Sequence, residues 1–209
     1  MLRAMELLLI RHALPIRRED VEGAADPELS EVGRDQAMHL ANWLADERLD
    51  AVYSSPMQRA RETAAPLAAI HGLEVLVDDE LAEYDRNSHW YVPVEELKAA
   101  GDPRWREIVA GEWGDIEVDP ETFRDIVYKA VERLVDTNPS KRIAAVCHGG
   151  VINAYLSKIL GIDNPTGFFY PNYTSIHRVM AARSGERTVH TLNETAHLRG
   201  TGLISGLYG

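Results

Sequence analysis

The stretch "LLLIRHALP", Leu7 to Pro15, decides the fold. Four apolar residues run directly into Arg11 and His12, and a proline follows shortly afterwards. A short apolar run bounded by a turn signal is typical of a strand that is covered on both faces. Arg11 and His12 would then lie at the carboxyl end of this strand, which is the edge where open α/β sheets bind their ligands.

A second stretch, "KRIAAVCHGG", repeats this pattern, because an apolar run is again followed by a histidine, His148, and small residues. The segments between the two stretches alternate between short strands and amphipathic helices. Such alternation favours a largely parallel sheet with helices on both faces. We therefore predict a three-layer α/β/α sandwich with a mostly parallel central sheet, in which His12 and His148 reach the same edge.

The length of 209 residues predicts a single domain over residues 1–209. Residues 85–118 hold three of the four tryptophans among charges, proline and glycine. We interpret them as a cap insertion outside the sheet, with a simple surface excursion as the alternative. Residues 197–209 are rich in glycine and predict a flexible tail. The apolar side chains of this tail could pack on a second copy of the chain, which would make a homodimer.

The amino-acid composition indicates which classes of binding partner the protein is suited to. The net charge of −11 argues against a general nucleic-acid binder or a membrane-surface binder, because both need clustered lysine and arginine. The single cysteine, Cys147, fits a reducing compartment, and the apolar runs are too short for a signal-peptide core or a membrane span. We therefore expect a cytoplasmic protein whose anion site, if it has one, is a local pocket of arginines.

Several charged residues follow predicted strands or lie in the turns after them, and together they suit phosphoryl transfer. Bidentate arginines match phosphoryl oxygens, and the amide groups that open a helix at Gly149 can face an anion. A neutral imidazole is a competent nucleophile, and a carboxylic acid can protonate a leaving alcohol. Neither a compact zinc spacing nor a Gly-Lys phosphate loop is present in the sequence. The candidates are Arg11, His12, Arg59, Glu83 and His148.

The chain resembles the histidine phosphatase superfamily, the phosphoglycerate-mutase-like proteins, from about residue 6 to residue 181. The motifs that carry the resemblance are, in order, "LLLIRHALP", "LSEVGRDQA", "YSSPMQRARETA", "LAE", "VCHGGVI" and "PNYTSIHRV". The resemblance implies a phosphomonoesterase that needs no metal or other cofactor and acts on a small phosphorylated substrate. His12 would become phosphohistidine and Glu83 would donate the proton. Arg11, Arg59 and His148 would hold the phosphoryl group.

The departures from the family pattern leave alternatives open. The position of a family asparagine falls at Arg18, whose charge could replace that contact with phosphate. Mutases commonly have asparagine where this chain has Gly150, which favours a phosphatase over a mutase. Asp85 is the alternative to Glu83 as proton donor. A binding protein without catalysis is the remaining alternative, and the presence of an acid argues against it.

Overall fold

The computed structural model describes residues 4–19, 21–110, 119–164 and 167–206. The strands in these ranges are β1 (Met5–Arg11), β2 (Ala51–Ser54), β3 (Val75–Val77), β4 (Arg142–Cys147), β5 (Ile176–Ala181) and β6 (Arg187–Glu194). The helices are α1 (Glu31–Leu44), α2 (Gln58–Ile70), α3 (Val94–Ala100), α4 (Pro103–Ala110), α5 (Pro120–Thr137) and α6 (Gly149–Leu160), with short 3-10 helices at Asp79–Leu81 and Ala196–Leu198. No described helix is both long enough and apolar enough to cross a membrane.

The strands form one mixed sheet in the order β3-β2-β4-β1-β5-β6. β1 to β4 are mutually parallel, and β5 and β6 are added as an antiparallel hairpin beside β1. The predicted mostly parallel central sheet is therefore confirmed. Because β1 and β4 are central neighbours, their carboxyl ends lie side by side.

The side chains of β1 explain why the sheet needs helices on both faces. Leu8 and Ile10 pack in the cluster that contains the buried residues of α1 and α2. Leu7 and Leu9 pack in the other cluster, with the buried residues of α5 and α6. Successive residues of a strand point to opposite faces, so an unbroken apolar run has to be covered twice. The predicted three-layer sandwich is confirmed.

Local signals place most helix ends correctly. Ser30 caps α1 by accepting the N–H of Gly33, and α6 ends at Gly161, which adopts a left-handed conformation with φ of 67°. α2 continues as one helix from Gln58 to Ile70 with Pro66 inside it.

The described part of the predicted insertion, residues 85–110, stays outside the sheet. It contains α3 and α4, and it meets the loop after β1 through an antiparallel bridge between Arg18 and Tyr91. Residues 111–118, with Trp113, lie outside the described residues. The cap boundaries stay a prediction.

The tail predicted over residues 197–209 contacts the body of the protein throughout its described part. His197 is buried and its Nε2 lies 2.8 Å from the hydroxyl of Thr174. The carbonyl of Ser205 accepts the N–H of Tyr173 at 2.7 Å. Residues 207–209 lie outside the described residues.

Candidate active site

The two histidines meet because β1 and β4 are in register. Arg11 pairs with Cys147 at the ends of these strands, so His12 and His148 follow next to one another. The N–H of His12 donates to the carbonyl of Cys147 at 2.9 Å. The ring centroids of the histidines are 5.1 Å apart. Cys147 itself is buried in the core, as predicted.

His12 is held in one tautomer. Its side chain is buried, and its Nδ1 lies 2.8 Å from the carbonyl oxygen of Ala13. A carbonyl only accepts hydrogen bonds, so Nδ1 carries the proton and the lone pair of Nε2 is left for other chemistry. Burial, and then the charges of Arg59 and Arg11, lower the pKa of His12 well below its ordinary value. The ring is therefore neutral, which is the form that can attack phosphorus.

His148 is positioned by a residue whose role the sequence did not indicate. Its Nε2 lies 2.7 Å from the hydroxyl of Ser55, and both side chains are fully buried. Its Nδ1 has no hydrogen-bond partner among the described residues. Burial, followed by the charge of Arg59, lowers the pKa of His148 well below its ordinary value. A neutral His148 can therefore offer an N–H to an anion rather than a full charge.

Ser55 lies close to the start of α2 but does not cap it. α2 begins at Gln58, whose N–H is bound by the carboxylate of Asp26 at 2.8 Å. The Ser55 hydroxyl is directed to His148 instead. Ser55 follows the end of β2, so the strand-end argument that singled out His12 would have found it.

Arg11 is buried between aromatic rings. Its guanidinium carbon lies 4.2 Å from the ring centre of Tyr173 and 4.9 Å from that of Tyr170. Nη1 donates to the carbonyl of Pro171 at 2.7 Å. Its Nε has no hydrogen-bond partner among the described residues. The rings fix the direction of the guanidinium by cation–π contact, while Nε is left for a ligand.

Arg59 is even more deeply buried, with only 1% of its surface exposed. Its Nη2 contacts Asp85 at 3.1 Å, and its guanidinium carbon lies 4.6 Å above the ring of Tyr91. Its Nε and Nη1 have no hydrogen-bond partner within the described part of the chain. Two buried cations with uncommitted N–H groups form an arrangement that can hold a phosphoryl group.

Glu83 has the environment of a proton donor. Its carboxylate accepts the N–H groups of Gly150 at 2.8 Å and Tyr84 at 3.1 Å. Burial, and then the charge of Asp85, raise the pKa of Glu83 to about 7. A substantial fraction of Glu83 is therefore protonated near neutral pH. Asp85 is engaged in an ion pair with Arg59, which makes Glu83 the better candidate of the two.

The first N–H groups of α6 were predicted to face a bound anion, and the structure gives one of them a different partner. The N–H of Gly150, expected to face an anion, is bound by Glu83. A Cβ on Gly150 would lie 2.2 Å from Oε1 of Glu83, so this approach requires glycine. A Cβ on Gly149 would meet no heavy atom closer than Nε of Arg11 at 3.9 Å, which places Gly149 beside the predicted anion-binding arginine.

Arg18 is the predicted site residue that the structure does not bring into this cluster. Its guanidinium forms an ion pair with Glu28 at 3.0 Å, with 44% of the side chain exposed. Its backbone reaches the site indirectly, by pairing with Tyr91. Binding of phosphate by Arg18 stays a prediction. No described group of His, Cys, Asp and Glu residues has an arrangement that could hold a metal ion.

Comparison with known proteins identifies the family. The model of the histidine phosphatase superfamily (branch 1) matches residues 7–195. Phosphoserine phosphatase 1 of Hydrogenobacter thermophilus is 29% identical over 202 residues, which cover 93% of this chain and 94% of the relative. Phosphoglycerate mutase-like protein 4 of Arabidopsis thaliana is 26% identical over 217 residues, covering 98% and 91%. A crystal structure of Entamoeba histolytica phosphoserine phosphatase with 3-phosphoglyceric acid has a TM-score of 0.73 at 26% identity, covering 93% and 99%. The chain therefore belongs to the histidine phosphatase superfamily and is an enzyme of that family.

Proposed function

We propose that the protein is a metal-independent phosphomonoesterase that forms a phosphohistidine at His12 and acts on a small phosphorylated metabolite. The observation that carries the proposal is the state of His12, which is buried, neutral and bound through Nδ1 to Ala13. Its Nε2 is therefore a nucleophile beside two arginines with uncommitted N–H groups. Simple binding of a phosphate would not need such an atom.

In the first step, the lone pair of Nε2 attacks phosphorus and the P–O bond to the leaving group breaks. The electron pair of that bond stays on the leaving oxygen, which takes the proton of Glu83. Arg11 and Arg59 stabilise the negative charge that spreads over the phosphoryl oxygens, and His148 supplies a further donor. The product alcohol leaves, and a phosphoramidate bond joins phosphorus to His12.

In the second step, a water molecule attacks the same phosphorus atom. The Glu83 carboxylate accepts a proton from the water, which restores the acid for the next turnover. The P–N bond breaks and its electron pair returns to Nε2. Inorganic phosphate is released and His12 is neutral again.

The packing at Gly150 supports a phosphatase over a mutase. Any side chain at this position would collide with Glu83 and with the ring of Tyr84, whose nearest atom would lie 2.6 Å from a Cβ. The asparagine that mutases commonly carry at this place would therefore displace the carboxyl of Glu83 from its position here. The names of the relatives, phosphoserine phosphatase and glucosyl-3-phosphoglycerate phosphatase, support a small phosphomonoester as substrate.

The test is a phosphate-release screen over phosphorylated metabolites, with and without excess EDTA. We expect release to survive EDTA, because arginines and histidines supply the positive charge, and we expect vanadate to inhibit as a transition-state mimic. Activity that depends on magnesium or zinc would contradict the mechanism. An isomerised phosphoester without released phosphate would indicate a mutase, and binding without turnover would indicate a binding protein.

A further inference from the structure

The Ala13–Leu14 peptide group, one residue beyond the proposed nucleophile His12, is hydrogen bonded at both of its polar ends. The carbonyl of Ala13 accepts the Nδ1–H of His12 at 2.8 Å. The N–H of the same peptide group belongs to Leu14 and donates to Oε1 of Gln36 at 2.8 Å. Hydrogen bonds at the two ends of one amide polarise each other. The bond made by Gln36 therefore strengthens the acceptor that holds the ring of His12.

Gln36 is fully buried on α1, and both ends of its amide are used. Its Oε1 accepts from Leu14, and its Nε2 donates to the carbonyl of Ile204 at 2.6 Å. Because one partner only donates and the other only accepts, the orientation of the amide is fixed. A continuous chain of hydrogen bonds thus runs from Ile204, in the C-terminal segment, to the catalytic ring.

We propose that Gln36 is a positioning residue for the nucleophile, and that the C-terminal segment at Ile204 sets the orientation of Gln36. This inference rests on the proposed function, since it gives His12 the role of nucleophile. Gln36 acts through the Ala13–Leu14 peptide and does not touch the substrate. Without its bond to Leu14, the Ala13 carbonyl can turn, and His12 loses the acceptor that keeps the proton on Nδ1.

The rest of the loop is anchored independently of Gln36. The N–H of Ala13 donates to Thr63 at 2.9 Å, and the carbonyl of Leu14 accepts from the Ser30 hydroxyl at 2.9 Å. A change at Gln36 should therefore alter the ring of His12 without releasing the loop. The arginines that bind phosphate would stay in place, since Arg11 is held by aromatic rings and Arg59 by Asp85.

The experiment measures phosphorylation and phosphate binding separately. The burst of p-nitrophenolate from p-nitrophenyl phosphate in rapid-quench kinetics gives the phosphorylation rate. Competitive inhibition by inorganic phosphate reports on the arginines. For Gln36→Met, whose thioether is only a weak acceptor and has no donor, we expect phosphorylation to slow about tenfold, the effect of one lost hydrogen bond, with the inhibition constant unchanged. A purely structural role would weaken both together.

Three further variants test whether the expected slowing in Gln36→Met comes from the lost hydrogen bond to Leu14. In Gln36→Glu the buried carboxyl in its protonated form keeps both bonds, since one oxygen accepts from Leu14 and the O–H donates to Ile204, so its phosphorylation rate should stay within a few-fold of the wild type. If Gln36→Met does not fold, Gln36→Asn replaces it, because its side chain is too short to reach both Leu14 and Ile204. Asn42→Ala, at an exposed position of the same helix, is the matched control and should behave as the wild type.

The outcomes separate this inference from the proposed function. If the wild type forms no acid-labile phosphoenzyme, the proposed function fails. If it forms one and Gln36→Met or Gln36→Asn phosphorylates at the wild-type rate, the role of Gln36 is overturned. Equal losses in rate and in phosphate binding also overturn it, and so does Gln36→Glu if it is as slow as Gln36→Met.

Discussion

Arginines are buried at both ends of the central sheet, and the two ends treat them differently. Arg178 lies on β5 opposite Leu8, and its guanidinium reaches Glu6 at the amino end of β1 at 3.2 Å; it also contacts Glu47 at 2.7 Å and Glu194 at 3.1 Å. Each of its nitrogen atoms has an acidic partner. The guanidinium of Arg178 therefore needs no ligand to pair its nitrogen atoms.

At the carboxyl end, Arg11 and Arg59 keep N–H groups that no described residue binds. Rings of tyrosine, together with Asp85 at 3.1 Å and Asp26 at 3.9 Å from Arg59, fix the guanidinium groups but leave these N–H groups without a hydrogen bond. Because burying an unpaired donor costs stability, such an arrangement is retained where a ligand completes it. The comparison indicates that the amino end serves the fold and the carboxyl end serves the chemistry.

Removing the nucleophile should have the largest effect at the carboxyl end. His12→Ala is expected to abolish both turnover and the acid-labile phosphoenzyme, because it removes Nε2, the atom that forms the bond to phosphorus. Rapid quench with labelled substrate measures this directly. A labelled phosphoryl group that persists in His12→Ala would assign the nucleophile to another residue.

The catalytic end is also the part of the molecule that the sequence predicted best. His12 and His148 follow apolar runs, and the topology rule for parallel sheets brings such residues together. Contacts across the fold carry no such local signal. The close approach of Glu83 to Gly150 and the bond of Gln36 to Leu14 depend on how helices and loops pack on the sheet, which sequence periodicity does not specify.

The next largest effect is expected at the proton donor. Glu83→Gln should slow hydrolysis of an alkyl phosphate by roughly 10²–10⁴-fold and that of p-nitrophenyl phosphate far less, because p-nitrophenolate leaves without protonation. In the wild type, the alkyl rate should fall as the pH rises through the raised pKa of Glu83, about 7. This alkaline limb should flatten in Glu83→Gln. Equal losses for both substrates would give Glu83 a positioning role, and Asp85→Asn would then be compared in the same way.

Arg59→Met tests whether the uncommitted N–H groups serve catalysis. We expect turnover to fall by about 10²–10³-fold, as for a lost oxyanion donor. Stability should change by no more than about 1 kcal/mol, because the partner Asp85 keeps 21% of its side chain exposed to water. Urea unfolding and steady-state kinetics on the same preparation measure both. A large loss of stability would place Arg59 with the structural arginines.

A smaller effect should follow from a methyl group added at α6. Gly150→Ala would place a Cβ within 2.2 Å of Oε1 of Glu83, so the carboxyl must move. We expect about a tenfold loss with an alkyl phosphate and a smaller one with p-nitrophenyl phosphate. Gly149→Ala is the matched control, since its Cβ would lie 3.9 Å from the nearest atom of Arg11. Similar losses in both variants would mean that the helix start as a whole, and not Glu83, is disturbed.

At the amino end of β1 we expect the opposite of the Arg59→Met result, because removing Arg178 should lower the stability more than the turnover. Arg178→Met leaves Arg142 as the one remaining cation that Glu6 and Glu47 share, at 2.6 and 3.2 Å, and Glu6 keeps only 8% of its side chain exposed. Removing one partner of a buried ion pair exposes part of the desolvation cost of the others, so the free energy of unfolding should fall by about 2 kcal/mol. Turnover per folded molecule at 25 °C should stay within about twofold of the wild type. Arg183→Met, at an exposed position, is the control and should change stability by less than about 0.5 kcal/mol.

The pH dependence of unfolding gives an independent check on the ion pair between Arg178 and Glu47. The hydrogen bonds and charge of Arg178 lower the pKa of Glu47 below its ordinary value of 4.5. A carboxyl whose pKa is lowered by folding stabilises the protein above its unfolded pKa, and this stabilisation disappears as the pH falls through the folded pKa. The wild type should therefore lose stability below about pH 4.5, and Arg178→Met should lose less over that range. If both proteins unfold with the same acid dependence while Arg178→Met loses activity, the division of roles between the two ends of the sheet would be wrong, since the effect of Arg178 would then be on catalysis.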